Sequence, residues 1–464
     1  MKDSIVKELE NLIGEDWVID DERLMEDYLS DETPSPVRPE ADRDVILVKP
    51  KNSQEISEIL KYANRKSISV VPRGAGTGLC GAAVPVQSSI ILSMERLNDL
   101  IEVDEDNFTM TCQAGVTLED ILERVRESET LFFPPHPGDE GAQVGGLVVE
   151  NAGGARAVKY GVLRNYVRGM EVVLPTGEIT SLGGKVIKNN TGLDLMHLLI
   201  GSEGTLGIVS RVTLRLYPEP QASVSLIVPF EGRHEAIGTV PQILKQGMIP
   251  LAMEYMERDL VEKSAEHIGK KWPVREGDAY LYLVLTGQDK DSLYSKCERI
   301  NETCDSRGSQ DVLVAERRKD EEKILDIRSN IYTALEPESA DILDVTVPIT
   351  EIGRLLDEID SIAEEHDLDI PVYGHAGDGN LHPHIRLKDG RKPSNMERIK
   401  DEIYEKTIDL GGVITGEHGI GKTRVKNLPQ ALDDHQISLM KKIKKVFDPN
   451  NILNPKTVVD IDED

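Results

Sequence analysis

From Asp44 to about Pro220, short β-branched runs alternate with glycine-rich turns: VILV at 45–48, ISVV at 68–71 and SIIL at 89–92. Apolar runs of this length bounded by turn residues predict many short strands in an α+β arrangement. The stretch before them mixes acids, bases and apolar residues at helical spacing, which predicts a helical segment over 1–43. The pattern changes at Leu214-Arg215-Leu216-Tyr217-Pro218-Glu219-Pro220, where two prolines interrupt a strand and glycines thin out. Beyond it the apolar runs SVSLIVPF, AYLYLVLTG and DILDVTVP alternate with amphipathic acidic segments, SLYSKCERINETC and ITEIGRLLDEIDSIAEEH. That alternation predicts a sheet with helices on one face, forming a substrate cap. The organisation expected is a helical segment at 1–43, a glycine-rich unit at 44–220, a cap at 221–410 and a C-terminal segment at 411–464.

At 464 residues the chain exceeds what one core usually supports, so two or three packed domains are expected. No apolar run approaches the roughly 20 residues that span a bilayer, and the start lacks a basic leader followed by an apolar stretch. A cytoplasmic protein is expected, with any membrane attachment made through a partner. Cys80, Cys112, Cys297 and Cys304 are scattered without the close pairs that thiolate-held zinc or iron–sulfur clusters need. The formal charge of -29 makes nucleic acid a poor partner, because phosphates would be repelled by most of the surface.

The first chemical signal is Pro72-Arg73-Gly74-Ala75-Gly76-Thr77-Gly78, between two predicted strands. Alternating glycines let successive N–H groups approach a diphosphate closely, since no Cβ intervenes. The loop lacks the Walker lysine and the Rossmann spacing, and alone it reads equally as a tight turn. More glycine-rich stretches follow: Pro137-Gly138, Gly145-Gly146, Asn151-Ala152-Gly153-Gly154, Tyr160-Gly161 and Glu203-Gly204-Thr205-Leu206-Gly207-Ile208. In order and spacing these resemble the FAD domain of the vanillyl-alcohol oxidase/PCMH flavoprotein family, in the branch of D-lactate dehydrogenase and the FAD-bearing glycolate oxidase subunit. The resemblance covers nearly the whole chain. It implies an α+β fold: a two-subdomain PCMH-type FAD-binding domain plus an α+β cap with an antiparallel sheet. The diphosphate would be held by Arg73 to Gly78, and the later stretches would flank flavin and adenosine. Covalently flavinylated relatives carry a histidine in the first loop; this one has Thr77, which implies non-covalent FAD. Relatives often end in NPGK where this chain has Asn454-Pro455-Lys456, so only Asn454 is carried over as a flavin contact.

Three of the ten histidines fall in Tyr373-Gly374-His375-Ala376-Gly377-Asp378-Gly379-Asn380-Leu381-His382-Pro383-His384. Glycines between two imidazoles allow both to point at one ion, with Asp378 or backbone fixing a tautomer; two unrelated histidines in a turn fit as well. In Gly416-Glu417-His418-Gly419 an acid and an imidazole are adjacent. Neighbours in an extended stretch point opposite ways, so Glu417 is expected to face an ion while His418 faces elsewhere. A glycine turn with a capping acid is the plainer reading.

Together the two segments resemble the HxGDGNxH and GEHGxG signatures of metal-dependent D-2-hydroxy-acid dehydrogenases. The resemblance implies that His375, His382 and Glu417 bind a divalent metal, zinc or alternatively manganese or iron. Oxidising a 2-hydroxy acid removes a hydroxyl proton and a C2 hydride. The cation would lower the proton's pKa, His418 would accept it, and the flavin would take the hydride. Arg328 would pair with the substrate carboxylate, unless it is a surface helix charge. His384 stands where relatives hold a substrate-contacting asparagine, and would touch substrate or be a strand histidine. Dicarboxylate-specific relatives carry a threonine and a lysine where this chain has Tyr332 and the apolar run before Asp344, so a small monocarboxylate such as D-lactate or glycolate is expected. The implied partners are that substrate and an external electron acceptor or iron–sulfur protein, with a homodimer left open. A FAD-bearing electron-transfer subunit of a larger complex is the main alternative, and a flavin-free metal hydrolase the second.

Overall fold

The computed structural model describes residues 2–128 and 130–461. Three sheets organise it. In the first, Val45–Val48 and Ser69–Arg73 both pair parallel to Ser89–Ser93, with the short strand Val18–Ile19 on the antiparallel edge. Parallel neighbours need a crossover, and the helix Ser53–Lys66 provides it. Asn52 caps its start by accepting from Glu55 N at 2.8 Å, and Ser67 ends it at φ 52°. Ile56, Ile59, Leu60 and Ala63, spaced as one helical stripe, are wholly buried against the sheet. The predicted N-terminal helical segment contains one α-helix, Lys2–Ile13, followed by three single turns of 3-10 helix and a short strand. Asp21, Pro34, Pro36 and Pro39 favour turns there over continued helix.

The second sheet is antiparallel, in the order Leu100–Asp104, Thr109–Gln113, Ile208–Arg215, Val167–Val173, Ile179–Gly183. Its inner face buries Met110, Cys112, Val172, Val212 and Leu214 with the helix Val144–Glu150.

The third sheet runs from Leu313–Ala315 through Ala222–Phe230, Ala279–Gly287, Ala252–Glu257, Val372–His375 and Asn380–Arg386 to Ser339–Ile342, with Val345–Thr346 also on Asn380–Arg386. Every pair in it is antiparallel. The prediction of helices on one face needs correction, because both faces are covered. Val224, Leu226, Val228, Leu281, Leu283 and Leu285 meet the helices Arg233–Lys245, Lys290–Asp305 and Ile352–Glu365. The alternate residues Ile227, Tyr280, Tyr282 and Met256 meet Arg258–His267 and Arg318–Ser329. Strands buried on both faces read as unbroken apolar runs, and SVSLIVPF is one. The period of two places Glu254 beside Met256 and puts Tyr373, His375, His382 and His384 on that second face.

The C-terminal helix Asp434–Phe447 returns the chain to the first sheet. Lys444 Nζ donates to Thr205 O, Asp448 Oδ2 and Leu453 O, and Asn454 N donates to Val70 O at 2.8 Å. No helix among the described residues is long and apolar enough to cross a membrane.

Candidate active site

The loop leaving Ser69–Arg73 folds around its own arginine. Arg73 Nη1 and Nη2 donate to Ser30 O and Asp27 O at 2.7 and 2.8 Å, tying down the N-terminal segment. Gly76 has φ 84°, and a Cβ there would lie 2.2 Å from Arg73 Nη2. The guanidinium is thus a structural anchor of the loop. With Gly145, Gly146, Gly153, Gly204, Gly207, Ile208 and Asn454 this loop lines a cavity of about 1270 Å³ of empty space, its mouth included. Two buried oxygens in its wall, Gln143 Oε1 and Glu150 Oε1, have no hydrogen-bond partner, which suits a ligand carrying N–H and O–H groups. Burial, reinforced by Glu203, raises the Glu150 carboxyl well above the usual range.

Several residues expected at the cofactor do not reach this cavity. Asn151 is a left-handed helix cap whose Oδ1 accepts from Arg164 N at 3.0 Å. Tyr160 packs in an aromatic cluster with Phe132 and Tyr217, and Gly161 ends its short helix. Gly138 and Gly154 border instead a second cavity of about 1940 Å³, mouth included. Thr77, Pro137, Glu417 and His418 line both cavities, which therefore meet at the histidines.

At that junction His375 Nε2 and His382 Nε2 lie 3.3 and 3.6 Å from Glu417 Oε1. The three atoms converge from two strands and a loop, with the imidazoles 5.2 Å apart and nearly perpendicular. Glu254, fully buried, faces His375 Nδ1 from 2.9 Å with both oxygens, so Nε2 is left for an ion. Burial, then His418 and His375, push the His382 imidazole down to about 3, and a ligand histidine must be neutral. Burial would lower His375, but Glu254 and Glu417 outweigh it and raise the imidazole well above its ordinary value, and the charged His375 in turn holds Glu417 at about 2 against its own burial, so an ion bound here would take the place of the His375 proton. This donor set fits a divalent cation.

The set here whose ligand atoms all lie within 4.8 Å of one another is Asp344, His382, Glu417 and His418, and it does not include His375. Asp344 is nonetheless a poor fourth ligand. Its Oδ2 accepts from Thr415 Oγ1 and from three successive main-chain N–H groups, of Gly416, Glu417 and His418, at 2.7–2.8 Å; Oδ1 accepts from Asn380 Nδ2 at 2.8 Å. Three converging N–H groups mean that residues 416–418 are a turn, not an extended stretch. The expected opposition of Glu417 and His418 is therefore corrected: both face the same space, and the His418 ring stacks on His382 at 5.2 Å and 9°. The far side of the turn is pinned by Glu203, which accepts from Ile420 N and Gly421 N at 2.8 and 2.6 Å. Cys80 Sγ donates to His418 O at 2.8 Å.

Arg328 is neither exposed nor unpaired. Its Nε donates to Glu254 Oε2 at 2.5 Å and Nη2 pairs with the same carboxylate, leaving only Nη1 without a bond inside the chain among the described residues. His384 is wholly buried, its Nδ1 2.9 Å from Ser339 Oγ and its ring packed on Tyr332 and Tyr373. It lines neither cavity, so it is a strand histidine behind the site. Tyr332 does line the second cavity, its hydroxyl donating to Glu32 O at 3.3 Å.

Two family models match the chain: an FAD binding domain over residues 45–183 and the C-terminal domain of FAD linked oxidases over residues 219–458. The chain belongs to the FAD-linked oxidases. It is 43% identical to a D-lactate dehydrogenase of Archaeoglobus fulgidus, over 93% of this chain and 95% of that one. It is 38% identical to the glycolate oxidase subunit GlcD of Bacillus subtilis, over 88% of this chain and 87% of that one. Among solved structures, p-cresol methylhydroxylase with substrate bound superposes with a TM-score of 0.78 at 18% identity, covering 100% of this chain and 98% of the other. That likeness establishes a PCMH-type α+β fold.

In this FAD-linked oxidase the site draws on both matched regions. A Cβ on Gly153 would lie 2.5 Å from Glu417 Oε2, so glycine there lets the nucleotide loop close onto the histidine turn. The residues missed from sequence, Glu254, Asp344 and Glu150, were not singled out there; the one trace of Glu254 is an acid inside the apolar strand AMEYME. Removing a partner of a ligand histidine usually weakens metal binding about 10- to 100-fold. Glu254→Gln should therefore lower metal occupancy to that extent with flavin content unchanged. Metal analysis at graded free metal checks it, and wild-type occupancy throughout would remove Glu254 from this role.

Proposed function

We propose that this FAD-linked oxidase oxidises a small D-2-hydroxy acid, of the D-lactate or glycolate type, to the 2-oxo acid. The observation that carries it is the convergence of His375, His382, Glu417 and His418 where the two cavities meet. When bound, FAD supplies a hydride acceptor and a divalent ion, zinc or else manganese or iron, supplies Lewis acidity. His375, His382 and Glu417 would hold the ion. His418, stacked on His382 and outside that ligand set, takes the hydroxyl proton on its imidazole. Glu254, held in turn by Arg328, accepts from His375 Nδ1 and fixes its tautomer. Packed walls of Tyr332, Tyr373 and Leu325 limit water around the substrate. The FAD is non-covalent, since Thr77 offers no nucleophilic nitrogen where relatives have histidine.

The name of the Bacillus relative favours a second reading, a flavin-bearing subunit whose chemistry lies on another chain. A full set of acid, imidazole and arginine at the junction supports oxidation on this one, with electrons passing to an external acceptor or an iron–sulfur partner. We assign the work to the cytoplasm. One experiment tests the reading: purified protein, yellow and releasing its flavin on acid precipitation, is given a panel of 2-hydroxy acids with a dye acceptor. D-Lactate or glycolate should reduce the dye without any added protein, and faster than D-2-hydroxyglutarate. Dye reduction only after a partner protein is added would favour the subunit reading, and flavin left in the washed precipitate would rule out non-covalent binding.

A further inference from the structure

Arg156 is a cation in the substrate cavity that the proton-transfer scheme does not use. It precedes the short helix Ala157–Tyr160, where the nucleotide-binding half is pressed onto the large sheet and Lys159 Nζ donates to Thr286 Oγ1 at 2.7 Å. The Arg156 guanidinium lines the second cavity. One nitrogen donates to Pro134 O at 3.2 Å, and the group lies 5.4 Å from the centre of the Phe132 ring. No carboxylate among the described residues comes within 4.0 Å of it. An arginine cannot shed its proton, and Glu219 and Glu140 act on it only from beyond ion-pair distance, so the buried charge has no direct partner. Such a group is retained where a ligand completes it.

The neighbouring charges say which ligand. Arg328, the other arginine of the cavity, is already neutralised by Glu254. His136, whose ring also lines this cavity, is pushed down to about 4 by burial first, then by Arg156 and to a lesser degree Arg328. His136, Arg156 and Arg328 all line this cavity. The remaining wall carries Glu32, Asp139, Glu140 and Glu321. A cation with no direct ion pair suits a single planar anion, and the acids around it repel a second.

We propose that Arg156 is a specificity-determining residue that receives the carboxylate of the 2-hydroxy acid. The proposal rests on the function proposed above and adds the residue that selects acid over neutral alcohol. Arg156 supplies a planar fork to two carboxylate oxygens. The acid-lined wall then disfavours dicarboxylates independently of Tyr332.

Arg156→Gln and Arg156→Lys in the full-length flavoprotein test it, with D-lactate, its neutral amide D-lactamide, and pyruvate binding read from the shift of the flavin spectrum. Losing a charge-assisted pair should weaken pyruvate binding by roughly 10- to 100-fold and raise KM for D-lactate in parallel. Turnover of D-lactamide should not fall, so the acid-to-amide ratio of kcat/KM collapses. Arg156→Lys, keeping the charge without the fork, should lie between. Flavin content and thermal midpoint report folding, and loss of flavin by both variants would assign Arg156 to structure and overturn the proposal. An unchanged acid-to-amide ratio, with wild-type pyruvate affinity, overturns it while leaving the functional reading intact. A wild-type protein that oxidises no 2-hydroxy acid overturns both.

Discussion

His418→Ala should keep its FAD and its metal, bind substrate nearly normally, and reduce its flavin about 10²- to 10⁴-fold more slowly than wild type. The reason is the separation between what the His418 main chain does and what its ring does. The main-chain N–H holds the turn to Asp344 and the carbonyl accepts from Cys80, and alanine preserves both. The ring contributes to neither; it stacks on His382, and its Nδ1, buried, has no hydrogen-bond partner among the described residues. Removing it leaves His375, His382 and Glu417 in place. Glu417→Gln is the contrasting variant, because it removes a ligand oxygen that lies near both imidazoles. That variant should lose metal and activity together and regain part of its activity in excess divalent metal. Metal analysis, stopped-flow bleaching and substrate titration on the pair decide between them. If His418→Ala loses its metal, or bleaches at the wild-type rate, the division of labour is wrong. His384 cannot then replace it without moving, since it lies behind Tyr373 with Nδ1 on Ser339.

What the sequence made legible follows from how each feature is encoded. The strands VILV and SIIL and the apolar strands of the cap are local, and composition with period shows them, whereas the antiparallel pairing of the cap was expected only from the family resemblance and the crossover helix Ser53–Lys66 was not predicted. The second sheet is not local: Thr109–Gln113 pairs with Ile208–Arg215 across a long intervening stretch of chain, and no run of residues announces that. The helices on the second cap face were hidden because Tyr280 and Tyr282 alternate with leucines in one unbroken apolar run. In the site, the histidines were visible because glycines space them, whereas the groups that orient them were not. Glu254 reaches His375 by strand pairing, and Asp344 reaches residues 416–418 from a distant part of the chain. The mistaken opposition of Glu417 and His418 has the same origin. Adjacent residues diverge in a strand but can share a side in a turn, and the carboxylate that makes the turn lies elsewhere in the chain.

Asp344→Ala should release that turn, and it is the substitution with the largest expected structural effect. The carboxylate is completely buried and collects five donors, three of them consecutive main-chain N–H groups of the catalytic turn. Burial by itself would raise its pKa, but His418, His382, Arg424 and the backbone donors outweigh burial and hold it well below the ordinary carboxylate value. A carboxyl depressed on folding stabilises the fold fully above its unfolded pKa, about 3.9, and the contribution fades only as pH falls through the lower folded value. At neutral pH the stabilisation is therefore fully present. Leaving several buried donors unpaired costs roughly 3–5 kcal/mol. The cost falls on the turn, so amide exchange at Gly416, Glu417 and His418 should quicken by about a hundred- to several-thousand-fold. Metal and flavin reduction should be lost with it, because Glu417 and His418 no longer have a fixed frame. Asp344→Asn separates shape from charge: it fills the same space but must turn an N–H₂ toward donors on one side, and should fall between the two. Hydrogen exchange followed by mass spectrometry on the peptide spanning 411–422, compared across the three proteins, measures this directly. Wild-type protection of that peptide in Asp344→Ala would mean that Glu203, Cys80 and Arg424 alone suffice to hold the turn, and that the Asp344 carboxylate organises nothing.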